Sequence, residues 1–335
     1  MQQLKIGNVI LDNRIIVGPM AGISNNSFRK IIKEFGASLI YSEMISDKAI
    51  CFKNKKTLKM CVVEPEEKPL TLQLFGHDIN TMVQAAIYLD KETNCDIIDI
   101  NMGCPVPKVC KSKAGSALMQ TPEHAYEMVK AIIDSVEKPV TVKLRAGWNH
   151  QQINVVEMAL LMEKAGVSAI AVHPRTRSDY YSGSSNWDLI KQVKEVVKVP
   201  VIGNGDIKTL EDYIEMRKQT NCDFVMVARG CLGNPWLIKQ LVEYEKTGEI
   251  VEEATHLEKI EQCLYHAREL VKLKGEKNGI KMMRGHACWY INGLANSNKV
   301  KAKINKMNKY EDLKNLMEKY IYALENEDYS FLKQE

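Results

Sequence analysis

The sequence has no Cys-x-x-Cys pair, and its nine cysteines are scattered and odd in number, which excludes a fold stapled by a complete set of disulfides. No basic-then-apolar leader opens it, so the thiols are expected to stay reduced and the protein to be cytoplasmic. No apolar run approaches the roughly 18 to 20 residues of a membrane-spanning helix, and no membrane association is expected. Acids are nearly missing from one stretch. Residues 272–309 hold ten basic side chains against the single Glu276, a local net of +9 in a chain whose total is +4, which leaves −5 for the remainder. A generic lysine-rich stretch is a solvated helix face, but asymmetry of this kind points to a polyanion-binding surface attached to a mildly acidic body.

What is left is a 335-residue chain with the hydrophobic (45%) and charged (26%) content of a soluble globular protein, long enough for one barrel-sized domain and an appendage. Short β-branched runs at 14–17, 38–42, 70–75, 96–101, 140–145, 169–173, 199–203 and 224–228 are each followed by helical periodicity. Eight such units predict an α/β fold, a closed (β/α)8 TIM barrel, rather than an open sheet. Asn25 and Ser27 are expected to cap a helix over 28–35, Thr121 and Pro122 to start another, and Gly166 to stop one over 155–165. Beyond Gly248 the strand signal ends, and 256–273 and 310–324 read as amphipathic helices with polar connections. The expected division is a catalytic barrel over 1–248 and a small, basic, helical C-terminal domain over 249–335, with the boundary falling within 248–254.

In such barrels chemistry sits at the carboxyl ends of the strands. Those ends carry Pro19, Met20 and Ala21, then Gln73, Asn101 and Cys104, Lys143, His173, the turn Asn204-Gly205-Asp206, and Ala228-Arg229-Gly230. The last two are glycine-bearing turns on strands seven and eight, the usual phosphate position of the fold. Alternation puts Thr141, Lys143 and Arg145 on one side of strand five, and an ammonium inside a barrel needs a ligand or a partner. A flavin is one such ligand, because Lys143 would balance the charge of its reduced ring and Gln73 has the donor and acceptor for its pyrimidine edge. A buried pair with Asp99 is the alternative for Lys143. His173 reads either as a phosphate or flavin hydrogen-bonder or as a satisfied core histidine.

The string Ile100-Asn101-Met102-Gly103-Cys104-Pro105, with Gly115-Ser116-Ala117-Leu118 after it, resembles the signature of the tRNA-dihydrouridine synthases. Asn13-Arg14, Pro19-Met20-Ala21-Gly22, Ser42-Glu43-Met44, Gln73-Leu74-Phe75-Gly76, Lys143-Leu144-Arg145 and Asn204-Gly205-Asp206-Ile207 match in order. Arg284-Gly285-His286-Ala287-Cys288-Trp289-Tyr290 is similar to the family's helical-domain motif. The likeness is to the bacterial B-type members. It implies non-covalent FMN, NADPH as hydride source with NADH as the other candidate, and a tRNA uridine as substrate. By position it assigns FMN contacts to Pro19, Met20, Ala21, Gln73, Lys143, His173, Asn204, Gly205, Asp206, Ala228 and Arg229. Gly18, Pro174 and Gly285 depart from the pattern, standing where alanine, glycine and lysine are usual.

Reduction of uracil needs a hydride at C6, from flavin N5, and a proton at C5. A cysteine, with a pKa of roughly 8.5, is mostly thiol at neutral pH, and Cys104 at the barrel mouth fits that acid. A stacked base must be drawn out of folded RNA to reach it, which calls for a grip on phosphates. Lys108, Lys111, Lys113, Arg175, Arg177, Lys281 and Arg284 are the candidates. No metal, no protein partner and a monomer are expected. The rival readings are an FMN enzyme of a free pyrimidine, like the dihydroorotate dehydrogenases, a phosphosugar aldolase or isomerase, and a non-catalytic RNA-binding module. The basic tail counts against the first, and Cys104, Lys143 and Gln73 together count against the last.

Overall fold

The computed structural model describes residues 3–333. A small antiparallel hairpin, β1 (Lys5–Ile6) with β2 (Val9–Ile10), comes first; strands of two residues leave no period in a sequence, and it was not expected. Eight parallel strands follow: β3 (Ile15–Val17), β4 (Leu39–Ser46), β5 (Leu70–Phe75), β6 (Ile97–Met102), β7 (Val140–Gly147), β8 (Ala169–Thr176), β9 (Val201–Asn204) and β10 (Phe224–Val227). They pair in sequence order, and β10 pairs with both β9 and β3, closing the predicted barrel.

Two shells hold it. Residues such as Val142, Leu144, Ile170 and Val225 point outward and join the helix faces of Met128, Met158, Met162 and Ile190 in one core. Ile16, Leu39, Ile97, Ala171, Ile202 and Met226 fill the barrel bottom, and the N-terminal hairpin plugs it with Ile6 and Leu11. Burial of this apolar surface, at about 25 cal/mol per Å², drives closure.

The helix Asn26–Glu34 is capped by the Asn25 side chain, which accepts from Phe28 N, whereas Ser27 lies inside the helix and caps nothing. Gly166 ends the helix Val155–Ala165 in the left-handed region, as expected. After the helix Trp236–Thr247, whose stop is Gly248, every regular element among the described residues is helical. His256–Lys274 and Tyr310–Asn326 lie where periodicity put them. The stretch between them is not a polar connection but two further helices, Glu276–Tyr290 and Ser297–Ile304. Ile280, Met283, Ala287 and Tyr290 recur at helical spacing there and are buried, although lysines between them mask the pattern.

This helical region packs firmly on the barrel. Phe28 lies against the rings of His266 and His286, Lys30 pairs with Glu269 at 3.1 Å, and Tyr265 donates to Glu34. The loop after β10 touches it directly: a Cβ at Gly233, whose φ is +67°, would lie 2.3 Å from the carbonyl carbon of Trp289. That contact carries Trp289 to the barrel mouth, so the region is no loose appendage.

Candidate active site

At the carboxyl ends of the strands lies a cavity of about 430 Å³. Pro19, Met20, Ala21, Gln73, Cys104, Lys143, His173, Asn204, Gly205, Asp206, Ala228 and Arg229, drawn from seven strand ends, all line it. Met44, Arg145, Tyr181 and Trp289 line it as well.

Strand register explains the arrangement. Gln73 stands beside Asp99, Asn101 beside Lys143, and Arg145 beside His173. Lys143 Nζ donates to Asn204 Oδ1 at 2.9 Å, and Asp99 is engaged elsewhere, so the Lys143–Asp99 pair does not form. Burial, with the Arg145 charge nearby, lowers Lys143 to about 8, which leaves it mainly an ammonium at neutral pH. Gln73 is wholly buried; its Nε2 donates to Asp99 and its Oε1 accepts from Asn101, leaving one N–H and one lone pair for a ligand.

Cys104 follows β6 in a loop held from every side. Its amide and that of Gly103 donate to Asn101 Oδ1, its carbonyl accepts from Ser116 N and Oγ, and Arg145 Nε holds the Gly103 carbonyl at 2.7 Å. Gly115, at φ +63°, lets the next segment come this close, since a Cβ there would meet the Cys104 carbonyl oxygen at 2.8 Å. The Gly115-Ser116 motif thus exists to seat the Cys104 loop. Burial holds the Cys104 thiol above the usual cysteine range, so it stays protonated at neutral pH. Cys110 donates its Sγ to the Cys104 carbonyl and belongs to the same scaffold.

At the glycine turns, Asp206 is ion-paired with Arg175 at 2.7 Å and accepts from Ser185 N. Burial pushes its carboxyl up, but these partners outweigh that and hold it below the usual range. Arg175 is buried, and its donors go to Asp206, Ser182, Gly183 and Ser185. One Arg175 N–H lies 3.3 Å from His173 Nε2, which must accept it, so the His173 proton sits on Nδ1. Burial among cations keeps that ring neutral.

The other basic candidates divide. Lys108, Lys111, Lys113 and Lys281 are exposed. Arg177 is half-buried and stacks on Trp148 and Tyr180. Arg284 ties the Met307 carbonyl and Asn308 to its helix, a brace within the helical region. Gly18 sits where a Cβ would meet Met226 Sδ at 2.7 Å, so this chain's methionine accounts for its glycine. Trp289 and Tyr181 escaped sequence reading. Trp289 belongs to a helix outside the barrel that packs on the Gly233 loop, and Tyr181, which lies under the Arg229 guanidinium at 4.5 Å, sits in a loop without periodicity.

Among the described residues no cluster of His, Cys, Asp or Glu is arranged to hold a metal ion, and no helix is long and apolar enough to cross a membrane.

A family model described as dihydrouridine synthase matches residues 15–325. The chain is 39% identical over 306 residues to a probable tRNA-dihydrouridine synthase of Rickettsia bellii, covering 91% of this chain and 94% of that one. It is 35% identical over 307 residues to tRNA-dihydrouridine synthase B of Pseudomonas aeruginosa, covering 92% of each. Among solved structures, an old yellow enzyme homologue from Zymomonas mobilis superposes with a TM-score of 0.55 at 13% identity, over 75% of this chain and 94% of that one; this likeness is one of fold.

Proposed function

Since this chain belongs to the dihydrouridine synthase family, we propose that its cavity holds FMN, that NADPH supplies the reducing equivalents, and that Cys104 is the acid that completes the reaction. The enzyme is a flavin-dependent oxidoreductase that reduces uridines in tRNA to 5,6-dihydrouridine.

The residues present suit FMN. Pro19, Met20, Ala21 and Met44 give an apolar wall for a planar ring. Lys143 and Arg229 give positive charge for a reduced ring and a phosphate, and the turns ending β9 and β10 offer backbone donors. Gln73 and His173 orient by hydrogen bonds. When bound, the flavin supplies the hydride that uracil C6 receives. Cys104 then gives its Sγ proton to C5. Asn101 and Ser116 hold the Cys104 loop during that transfer, and Lys143 keeps a positive charge on the cavity wall.

Residues 249–335 are proposed to bind tRNA, with Lys281 there and Lys108, Lys111 and Lys113 beside Cys104 meeting phosphates. The protein is proposed to act as a monomer. The observation that carries the reading is Cys104: a thiol kept protonated by burial and fixed at the mouth of a cation-lined cavity. The test mixes the purified yellow protein with NADPH anaerobically and then with unmodified tRNA or with free uridine and orotate. Reoxidation by tRNA alone, with dihydrouridine in the product, is expected; reoxidation by a free pyrimidine and not by tRNA would refute it.

A further inference from the structure

Asp99 is a buried acid to which the proposed mechanism gives no task. Asp99 lies on β6 with no solvent exposure, beneath the cavity floor. Its Oδ2 accepts from Gln73 Nε2 at 2.7 Å and its Oδ1 from Thr141 Oγ1 at 2.6 Å. Gln73 Oε1 accepts from Asn101 Nδ2 at 2.8 Å, and Asn101 Oδ1 accepts from the amides of Gly103 at 3.2 Å and Cys104 at 2.9 Å. Two side chains on neighbouring strands, Gln73 and Asn101, therefore link a buried carboxylate to the backbone of the reacting cysteine.

The direction of this chain matters. A carboxamide turned by 180° fills the same space but exchanges donor for acceptor. The amides of Gly103 and Cys104 require an oxygen from Asn101, whose Nδ2 then requires an oxygen from Gln73, whose Nε2 then requires an acceptor at the far end. Burial pushes the Asp99 carboxyl up to about 7, but in either protonation state its Oδ2 accepts from Gln73, because Oδ1 faces the Thr141 hydroxyl, which can donate or accept, so Asp99 ends the chain with one polarity. Without it the Gln73 amide is left with a buried unpaired N–H, costing about 1–3 kcal/mol, and a flipped amide competes.

We propose that Asp99 is a positioning residue for the reaction, which through Gln73 and Asn101 fixes the direction of both carboxamides and so holds the Cys104 thiol in place at the cavity. This rests on the reading of Cys104 as the proton donor. Thr141 is the second donor to Asp99, and it keeps the carboxylate from turning away from Gln73.

The test uses flavin-loaded Asp99→Leu and Asp99→Asn proteins beside the parent. Leucine removes the acceptor; asparagine removes the charge but still presents an oxygen to Gln73 and an N–H to Thr141. For Asp99→Leu, reoxidation by tRNA in a single turnover should fall about 10- to 100-fold, as for a misplaced reacting group, and at least about fivefold further than flavin reduction by NADPH, which Gln73 also touches. Its Cys104 should alkylate with iodoacetamide at a rate changed by at least about fivefold, read by peptide mass spectrometry, as expected when a side-chain hold is lost. Asp99→Asn should restore both readouts to near the parental values. If Asp99→Leu matches the parent in both, or Asp99→Asn is as impaired as Asp99→Leu, the proposal is wrong. Should Asp99→Leu not yield folded protein, Asp99→Ser, whose hydroxyl is too short to reach the Gln73 amide, takes its place under the same criteria. A parent that fails to reduce tRNA would instead refute the functional reading.

Discussion

Replacing Lys143 with methionine separates what the cavity needs for chemistry from what it needs for stability. Burial, followed by repulsion from Arg145, lowers the ammonium from 10.5 to about 8 in the flavin-free fold. At about 1.4 kcal/mol for each tenfold change, keeping that charge at pH 7 destabilises the fold by about 3 kcal/mol. This is an upper figure, because the cavity side of the ammonium meets water. The sign follows from linkage: between about pH 8 and 10.5 the unfolded chain holds this proton and the folded chain does not, so the parent gains stability as pH rises. Lys143→Met lacks the titration. In urea denaturation of flavin-free protein, the variant should be the more stable at pH 7, and its advantage should shrink by about 2 kcal/mol on going to pH 9.5. The flavin-loaded variant should meanwhile be reduced more slowly by NADPH, since the developing anion has lost its partner. A stability difference that stays constant between the two pH values, or unchanged reduction kinetics, would refute the reasoning.

Cys104→Ala should take hydride from NADPH normally but reoxidise with tRNA about 10²- to 10⁴-fold more slowly, whereas Cys110→Ser, which keeps the hydrogen bond to the Cys104 carbonyl, should stay near the parent. Parental rates for both in single-turnover assays would remove Cys104 as the acid. Affinity for tRNA should fall steeply with salt, and Lys281→Glu should weaken binding and flatten the slope by about one; a salt-independent affinity would contradict the electrostatic reading. A chain ending at Gly248 should not separate cleanly into a working flavin barrel, because it strips Trp289 from the cavity and bares Phe28 where His266 and His286 cover it. Soluble truncated protein with parental flavin content and NADPH oxidation would show that the helical region is dispensable for the site.

The contrast between what was and was not legible in the sequence has a physical basis. All eight barrel strands were visible because each is a β-branched run buried on both faces, and their count determined closure. The strand-end residues were visible because a polar group inside a barrel is expensive and therefore conspicuous. The partner of Arg175 was not legible, because Asp206 lies 31 positions away and is brought to 2.7 Å only by the β8 and β9 loops. Ser27 was misjudged more locally, since Asn25 had already supplied the cap.

The same distinction separates the named acid from the groups that govern it. Cys104 advertises itself through the Gly-Cys-Pro turn, but the hold on it depends on a register: Gln73 must face Asp99 across β5 and β6, one residue pair and no other. A slip of one residue would send every side chain of β6 to the opposite face, taking both Asp99 and Asn101 out of the barrel. That register is set by the outward apolar residues Ile98 and Ile100, which bury themselves among the helices and so force Asp99 and Asn101 inward. The hydrophobic pattern of β6, which carries no chemistry, is therefore what aims the polar chain at Cys104.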